Sequence, residues 1–172
     1  MFGNLLSNGG FENPVAQYPF TTMTGDQLTG WSIDSGSIDL MHGGWLPHSG
    51  AQSMDLSGIS PALISQTIDT VPGYMYDLTF WIAGNPDKQE VKTLGVYWDG
   101  NELSPTITFD STGHSTNDMG WRLVTISHLK ASKSSTEIAF IDLQPSNDPY
   151  GVALDDISVV PVQSIPVPEF PF

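Results

Sequence analysis

Short runs of alternating apolar and polar residues recur along most of this chain, and they restrict its fold more than any other feature. Residues 76–83, for example, read Tyr-Asp-Leu-Thr-Phe-Trp-Ile-Ala, so the apolar residues at even positions share one face and Trp81 lies on the other. A period of two is the repeat of a β-strand, whose side chains point to alternate faces. No window shows the i, i+3, i+4, i+7 apolar spacing of an amphipathic helix. The sequence therefore predicts an almost wholly β protein.

Nine such runs are bounded by Gly, Pro, Asn and Asp, which favour turns. They are residues 36–40, 51–56, 62–68, 76–83, 93–98, 105–110, 121–127, 136–143 and 154–160. Turn pairs such as Asp99-Gly100 and Pro72-Gly73 lie between runs and favour antiparallel pairing. The predicted fold is an all-β, two-sheet antiparallel jelly-roll sandwich formed by residues 1–160. A chain of 172 residues is long enough for one such domain, which would bury roughly 70% of its unfolded surface.

The chain is strongly acidic, with five Lys and Arg residues against 19 Asp and Glu and a formal charge of −14. This charge disfavours nucleic acid, whose binding depends on clustered cations, and an anionic membrane surface. The absence of cysteine excludes disulfides, thiolate metal sites and a cysteine nucleophile. The chain as given shows neither a signal-peptide pattern nor a run of about 18 apolar residues, so we expect no membrane contact by this segment itself.

Motifs typical of catalysis are missing from the sequence. The four histidines lack the HExxH spacing, and no serine lies in a GxSxG motif. Glycoside hydrolysis needs two acids about 5–10 Å apart, but among 19 acids some pair will always meet that distance. The sequence therefore predicts that this protein is not an enzyme.

The last twelve residues, 161–172, form a proline-rich tail. Its four prolines exclude a helix and disfavour a central strand, so we expect an extended segment. The string Pro-Val-Pro-Glu-Phe-Pro at 166–171 resembles the start of the PEF-type sorting signal of archaeal surface proteins, in which an apolar span and a basic tail follow. That resemblance implies an extracellular protein displayed on the cell surface. The alternative is a proline-rich spacer.

A second resemblance covers nearly the whole chain. The segment 4–14 is similar to the opening of galactose-binding-like jelly rolls, which include many carbohydrate-binding modules. The chain also resembles the choice-of-anchor C family of prokaryotic surface proteins. The matching stretches, in family order, are 30–31, 36–39, 53–58, 64–66, 72–76, 80–86, 92–94, 109–113, 119–121 and 153–158. That family has no established reaction, so the resemblance implies a fold and a surface location rather than an activity.

Carboxylates near both ends of the chain form a candidate metal site. Glu12 follows Asn8 and Gly10 in a glycine-containing turn, and Asp155 and Asp156 lie in the last predicted strand. Ca²⁺ takes about six to eight oxygen ligands, typically carboxylates mixed with main-chain carbonyls. In carbohydrate-binding jelly rolls resembling this chain, a structural Ca²⁺ often joins the first and last strands through residues matching Glu12 and the final Asp. The resemblance implies such a calcium ion, and the alternative is that these residues only accept backbone hydrogen bonds.

Aromatic and polar residues outside the predicted core form a candidate ligand platform. Sugar rings stack their apolar faces on aromatic rings, while polar side chains bind their hydroxyl groups. Alternation places Trp81 outside the core and puts Tyr97 and Trp98 on opposite faces of one strand. The candidate ligand-binding residues are Trp45, Trp81, Asn85, Asp87, Tyr97 and Trp98. The alternative is that each tryptophan fills the space between the sheets or covers the outer face of one sheet.

Two functions are compatible with these observations. The first is an extracellular, non-catalytic module that binds a polysaccharide or a cell-wall glycan. The second is a structural cell-surface subunit that assembles through protein–protein contacts. In that case the tail residues Val167, Phe170 and Phe172 would add to an open sheet edge of another copy. A glycan binder should be monomeric at micromolar concentration, whereas an assembling subunit should elute as a large species.

Overall fold

The computed structural model describes residues 3–162, which form eleven β-strands. They are β1 (Phe20–Gly25), β2 (Ser32–Met41), β3 (Ser53–Asp55), β4 (Leu63–Asp69), β5 (Met75–Gly84), β6 (Val91–Trp98), β7 (Asn101–Glu102), β8 (Ile107–Asp110), β9 (Arg122–Lys130), β10 (Ser135–Asp142) and β11 (Val152–Pro161). Within residues 3–162 there is no helix that could cross a membrane. The predicted all-β class is confirmed.

The strands form one antiparallel sheet that curls into two packed layers. Neighbouring strands follow the order β7-β6-β10-β4-β2-β3-β11-β5-β9, while β1 pairs with β2 and β8 pairs with β6. We call β7, β6, β10 and β4 the β10 layer, and β3, β11, β5 and β9 the β5 layer. β2 belongs to both, because its first half pairs with β4 and its second half with β3.

Gly36 lies where β2 passes from one layer to the other. The register shifts between Ile33 and Ser35, and such irregularities bend and twist a strand. Gly36 follows directly with a φ of 67°. A Cβ at this position would lie 2.0 Å from the carbonyl oxygen of Pro61. Only glycine therefore permits both the bend and the close approach of the β3–β4 connection.

Apolar side chains from the two layers fill the space between them. The predicted inward residues of β5 are all buried: Tyr76, Leu78, Phe80 and Ile82. Phe80 meets Phe140 of β10 edge to face, with ring centroids 5.3 Å apart. Tyr76 packs against Trp98 of β6 at 5.9 Å between centroids. These contacts join the layers, and aromatic pairs of this kind add stability beyond the area that they bury.

The first segment of the chain runs beside the last strand. The amide of Leu5 donates to the carbonyl of Val159, and the amide of Ile157 donates to the carbonyl of Gly9, each at 2.9 Å. The side chain of Asn4 adds two bonds, because its Oδ1 accepts from the amide of Val159 and its Nδ2 donates to the carbonyl of Ile157, each at 2.9 Å. The first and last segments therefore lie side by side, as the resemblance to carbohydrate-binding jelly rolls implies.

All nine predicted runs overlap observed strands, and two strands, β1 and β7, were not predicted. In β1 only Met23 is buried, so its alternation is weak, and β7 has only two residues. β11 extends to Pro161, one residue into the predicted tail, and the amide of Val162 donates to the carbonyl of Met75 at 2.9 Å. The remaining tail, including the string that resembles a sorting signal, lies outside the described residues.

We expect Asn4→Ala to lower the free energy of unfolding by about 1–2 kcal/mol, because groups of β11 lose their hydrogen-bond partner. Urea unfolding followed by tryptophan fluorescence measures the change. Asn117→Ala, in an exposed loop, is the matched control and should leave the midpoint unchanged. Equal midpoints for Asn4→Ala and the wild-type chain would contradict a stabilising role for Asn4.

Candidate functional site

The outward face of the β5 layer carries polar and aromatic side chains. Asp39 of β2 and Asp55 of β3 are register neighbours, and so are Trp81 of β5 and Asp155 of β11. Adjacent residues in a strand point to opposite faces of the sheet. The residues next to these four are fully buried in the core: Leu40, Met54, Ile82 and Leu154. Asp39, Asp55, Asp155 and Trp81 therefore point away from the core.

Residues 42–52, here called the covering loop, lie across this outward face. Trp45 Nε1 donates to a serine hydroxyl of β3 at 2.7 Å. The ring of His48 stacks on Trp81, with ring centroids 3.7 Å apart and an interplanar angle of 16°. Trp121 Nε1 donates to the carbonyl of Leu46 at 3.0 Å. The loop is thus fastened at three points along its length.

A cleft of about 210 Å³ lies between the covering loop and the strands, and we call it the Asp39–Asp55 cleft. It is lined by Pro19, Phe20, Asp39, Met41, Gly44, Trp45, Asp55, Asn85, Asp87 and Thr116. Three residues predicted to bind a ligand, Trp45, Asn85 and Asp87, therefore lie in one cleft. The two strand acids for which it is named were missed as site residues, although both lie in the stretches that carry the family resemblance.

Asp55 is the most deeply buried acid of the cleft, with 1% of its surface exposed. Its Oδ1 accepts hydrogen bonds from the amides of Ser57 at 3.0 Å and Gly151 at 3.1 Å. Its Oδ2 accepts from Asn85 Nδ2 at 2.7 Å. Asp55 therefore connects β3 to three separate loops, and these loops form the floor and one side of the cleft.

Asn85 shapes the turn that follows β5. Its Nδ2 binds Asp55, and its Oδ1 accepts from the amide of Asp87 at 3.0 Å, which closes an Asx turn. The main-chain amide of Asn85 donates to the carbonyl of Gly151 at 2.9 Å. The side chain of Asn85 is buried, and both ends of its amide group are used to hold the turn. Asp87 is exposed, and its carboxylate is accessible to a ligand.

Acids in and beneath the cleft have raised pKa values. Burial raises the pKa of Asp55 well above its ordinary value, the hydrogen bond from Asn85 opposes the rise, and the charges of Asp39 and Asp142 add to it. Burial also raises the pKa of Asp39, against the effect of a hydrogen bond from Thr22. Burial raises the pKa of Asp142 to about 6. These acids therefore keep their protons to a higher pH than exposed acids do.

Exposed aromatic rings flank the cleft. Phe20 lines it and is 44% exposed, and Tyr18 is 79% exposed. The ring of Tyr18 lies against Gly43 of the covering loop, where a Cβ would come within 2.6 Å of the ring. Trp45, by contrast, is buried and can offer a ligand only an edge. Tyr18 and Phe20 were not predicted as site residues, although two aromatic residues on either side of Pro19, outside any predicted strand, were an available signal.

The remaining predicted platform residues do not join this cleft. Trp81 is half-buried and its ring is covered by His48. Tyr97 and Trp98 lie on β6, in the other layer. Trp98 is buried in the core, where its Nε1 donates to the carbonyl of Lys130 at 2.9 Å, so it offers no surface to a ligand. Alternation correctly separated Tyr97 from Trp98, but it could not reveal which layer β6 would join.

Two of the predicted calcium-site residues, Asn8 and Gly10, lie in the first turn. Asn8 is used within that turn, because its Nδ2 donates to the carbonyls of Asn13 and Thr29 at 2.5 and 2.8 Å. Its Oδ1 accepts from the amide of Asn13 at 3.1 Å. Gly10 lies beside Asp156, since a Cβ at Gly10 would be 3.3 Å from Asp156 Oδ1. The Asn8 side chain therefore has a structural use that the sequence analysis did not foresee.

The other three, Glu12, Asp155 and Asp156, meet at the covering loop. Glu12 accepts from two main-chain amides at the end of that loop, at 3.0 and 3.2 Å. Asp155 Oδ2 accepts from the amides of His48 and Ser49 at 3.0 and 3.2 Å. Asp156 Oδ2 lies 2.5 Å from His48 Nδ1 and accepts from Ser49 Oγ at 2.6 Å. These acids join the two chain ends to the covering loop.

Three carboxylates around one loop have the donor chemistry that suits a hard cation. Burial raises the pKa of Asp155 to about 7, and the charge of Asp156 adds to the rise. However, no group of three or more His, Cys, Asp or Glu among residues 3–162 is arranged to hold a metal ion. The carboxylate oxygens instead accept hydrogen bonds from the protein, so the geometry forms no ready coordination shell.

We expect the free energy of unfolding to fall as the pH rises from about 4 to 7. The raised pKa of Asp142, about 6, means that the folded state keeps a proton that the unfolded state has already lost. This contribution is fully present below the ordinary Asp value of 3.8 and is lost as the pH passes through about 6. Melting temperatures between pH 4 and pH 8 measure it.

Asp142→Asn should flatten this part of the pH dependence, and Asp26→Asn, at an exposed turn position, should leave the slope unchanged. The part of the slope that remains in Asp142→Asn comes from the other buried acids. Parallel curves for Asp142→Asn and the wild-type chain would show that Asp142 is not the titrating group.

Solved structures of carbohydrate-binding modules share this fold. TmCBM61 in complex with beta-1,4-galactotriose matches with a TM-score of 0.58 and 20% identity, over 92% of this chain and 99% of that one. Family 16 Carbohydrate Binding Module-2 matches with a TM-score of 0.55 and 18% identity, over 91% and 99% of the two chains. The domain therefore has the jelly-roll fold of carbohydrate-binding modules, as the sequence predicts.

Sequence comparison gives a curated relative and a family. Halomucin of Haloquadratum walsbyi (strain DSM 16790 / HBSQ001) is 31% identical over 164 residues, which are 91% of this chain and 2% of halomucin. The chain thus spans a very small part of that relative. Residues 4–160 match the family described as "Protein of unknown function (DUF642)". Because this match extends over almost the whole described domain, the chain belongs to the DUF642 family.

Proposed function

We propose that this domain is a non-catalytic carbohydrate-binding module and that the Asp39–Asp55 cleft binds one sugar unit of a glycan. The main support is the meeting of acceptor side chains and exposed aromatic rings on the outward face of this fold. The cleft volume of about 210 Å³ is below the roughly 300–1,000 Å³ of sites for drug-sized ligands. It therefore suits a single ring, with the rest of the glycan lying along the rim.

The cleft supplies both kinds of contact that a sugar needs. The carboxylates of Asp39 and Asp87 can accept hydrogen bonds from sugar hydroxyl groups, and bonds to a charged acceptor are stronger than neutral ones. The exposed rings of Phe20 and Tyr18 can stack on the apolar face of a sugar. Asp55 already holds three protein donors, so its part is to position the surrounding loops.

The Asp39 and Asp55 pair does not suit glycoside hydrolysis. In that reaction one acid protonates the leaving oxygen, and the other attacks the sugar or activates water. Each acid therefore needs an oxygen that faces the substrate. Both oxygens of Asp55 already accept bonds from protein groups. This arrangement supports a role in binding and in holding the cleft, without catalysis.

An extracellular, surface-exposed location is part of the same proposal. It is supported by the carbohydrate-binding-module fold and by the similarity to a segment of halomucin. The sequence resemblances to surface-protein families point the same way. Labelling of intact source cells with an antibody against the domain is the direct test, and signal only after lysis would contradict this location.

Phe20→Ala and Tyr18→Ala are each expected to weaken glycan binding about 3–10-fold, because each removes one stacked ring worth roughly 0.5–1.5 kcal/mol. A glycan array identifies the bound glycan, and calorimetry on that glycan measures the loss. Tyr74→Ala is the matched control, since Tyr74 is 58% exposed but lines a different cleft. Equal losses in all three variants, or an array without any signal, would contradict the proposed site.

We further propose that Ca²⁺ stabilises the domain where Glu12, Asp155 and Asp156 meet the covering loop. The support is that Glu12, Asp155 and Asp156 each accept a hydrogen bond from the covering loop, and that a cation would relieve the repulsion between Asp155 and Asp156. When bound, the ion would supply only positive charge between the chain ends. His48 and Ser49 would remain the groups that hold the loop against β11.

EDTA should lower the melting temperature by several degrees, and Ca²⁺ should restore it. An ion that binds only the folded state contributes about 2.7 kcal/mol at a hundredfold excess over its Kd. Glu12→Gln should reduce the response, whereas Glu102→Gln, at an exposed position of β7, should not. Mg²⁺ should substitute poorly because it requires a stricter octahedral shell. If EDTA leaves the melting curve unchanged, these acids act only as hydrogen-bond acceptors.

A further inference from the structure

We propose that the Asp39–Asp55 cleft selects its ligand by charge, preferring a sugar unit with a free amino group over a neutral sugar and rejecting a uronic acid. This inference rests on the proposed function, because it names the class of sugar that the same cleft takes. The inference depends on the charge of the protein groups that surround the bound sugar ring. This charge differs among proteins that share the same fold.

The charged residues that line the cleft are all acids. Asp39, Asp55 and Asp87 are among its lining residues, and the other seven are uncharged. Asp39 and Asp55 are directly opposite each other on adjacent strands, which places their Cβ atoms about 4.5–5.5 Å apart. Burial and the neighbouring charge of Asp39 raise the pKa of Asp55, so the negative charge that faces a ligand comes from Asp39 and Asp87. An ammonium group near them would be attracted, and a carboxylate or sulfate group would be repelled.

All five cationic side chains of the chain are engaged or placed away from this cleft. Lys88 and Lys92 lie 3.3 and 2.9 Å from Glu90, and Lys92 is fully buried. Lys133 forms an ion pair with an aspartate at 3.1 Å, and Arg122 donates to a main-chain carbonyl at 2.5 Å.

Lys130 pairs in register with Met75, at the opposite end of β5 from the turn that lines the cleft. Ten residues of strand separate the two ends of β5, which corresponds to roughly 30 Å. This distance exceeds the Debye length of about 8 Å at physiological ionic strength. The fifth cation therefore does not offset the acids of the cleft.

An amino group matches this lining better than a hydroxyl group does. An ammonium carries three donors and no acceptor, and the carboxylates of Asp39 and Asp87 are acceptors when ionised. Bonds with charge on both partners are roughly twice as strong as neutral ones. A uronic acid instead carries a carboxylate at C6, which has only acceptors, so next to Asp39 and Asp87 that group would meet repulsion without a compensating bond. The rings of Phe20 and Tyr18 contact the apolar sugar face in each case.

The test compares β-1,4-linked trimers of glucosamine, glucose and glucuronic acid, which differ in one substituent of each ring. Calorimetry at pH 6 and low salt should show the glucosamine trimer binding at least tenfold tighter than the glucose trimer. The glucuronic acid trimer should show no measurable binding. The preference for the amine should shrink severalfold at high salt, because ions screen the attraction.

Variants separate the cleft from the general attraction of an acidic protein for cations. Asp39→Asn and Asp87→Asn should each weaken binding of the glucosamine trimer severalfold more than binding of the glucose trimer, so the ratio of the two affinities falls. Asp26→Asn removes an exposed acid outside the cleft and should leave the ratio unchanged. Phe20→Ala should weaken the binding of both trimers by the same factor.

The outcomes distinguish this inference from the proposed function. Charge selection is overturned if the glucosamine trimer does not bind, if the glucuronic acid trimer binds as well as the glucose trimer, or if Asp39→Asn and Asp26→Asn behave alike. In those cases binding of any array glycan that depends on Phe20 still supports a carbohydrate-binding module. An array without signal for neutral, cationic or anionic glycans overturns both.

Discussion

The buried carboxylate of Asp55 holds together the part of the molecule on which the cleft depends. It binds the amides of Ser57 and Gly151 and the side chain of Asn85, so three loops are attached to the short strand β3. A buried donor that loses its acceptor carries a large desolvation cost. Gly151 is required here, because a Cβ would lie 2.6 Å from Asp55 Oδ1 and 2.3 Å from Asp142 Oδ2. The hydrogen bonds to Asp55 and the close approach of Gly151 together hold these loops in place.

The two faces of the β5 layer have different uses. The inward face packs against the β10 layer through Phe80, Phe140 and their neighbours. The outward face is crossed by the covering loop, which is held at one end by the stack of His48 on Trp81 and the acids at the chain ends. Because this loop also supplies Trp45 and Gly44 to the cleft, contacts at the chain ends help to define a site that extends over the neighbouring strands.

Sequence patterns located nine of the eleven strands, but only three of the ten residues that line the cleft. Asn85 and Asp87 were found because they follow a strongly alternating strand, and Trp45 because it is a loop aromatic residue. Asp39 and Asp55 were missed because a single acid at an outward position of a strand is common and does not indicate a site. Only the pairing of β2 with β3 shows that the two acids lie opposite each other. Trp98 was predicted to contact a ligand, but it is buried in the core. Alternation shows which residues of a strand share a face, but it does not show which of the two faces another layer covers.

The sequence by itself determined the all-β class, the inward residues of β5 and the acidic character. Each of these follows from properties of single segments, namely a two-residue period, turn residues and charge count. Only the tertiary structure decided that β2 divides between two layers, that His48 covers Trp81, and that Asp39, Asp55 and Asp87 share one cleft. Those results depend on contacts between distant residues, such as the bond from Gly151 to Asp55 across 96 positions. Such contacts are set by strand order and register, which the pattern within one strand does not encode.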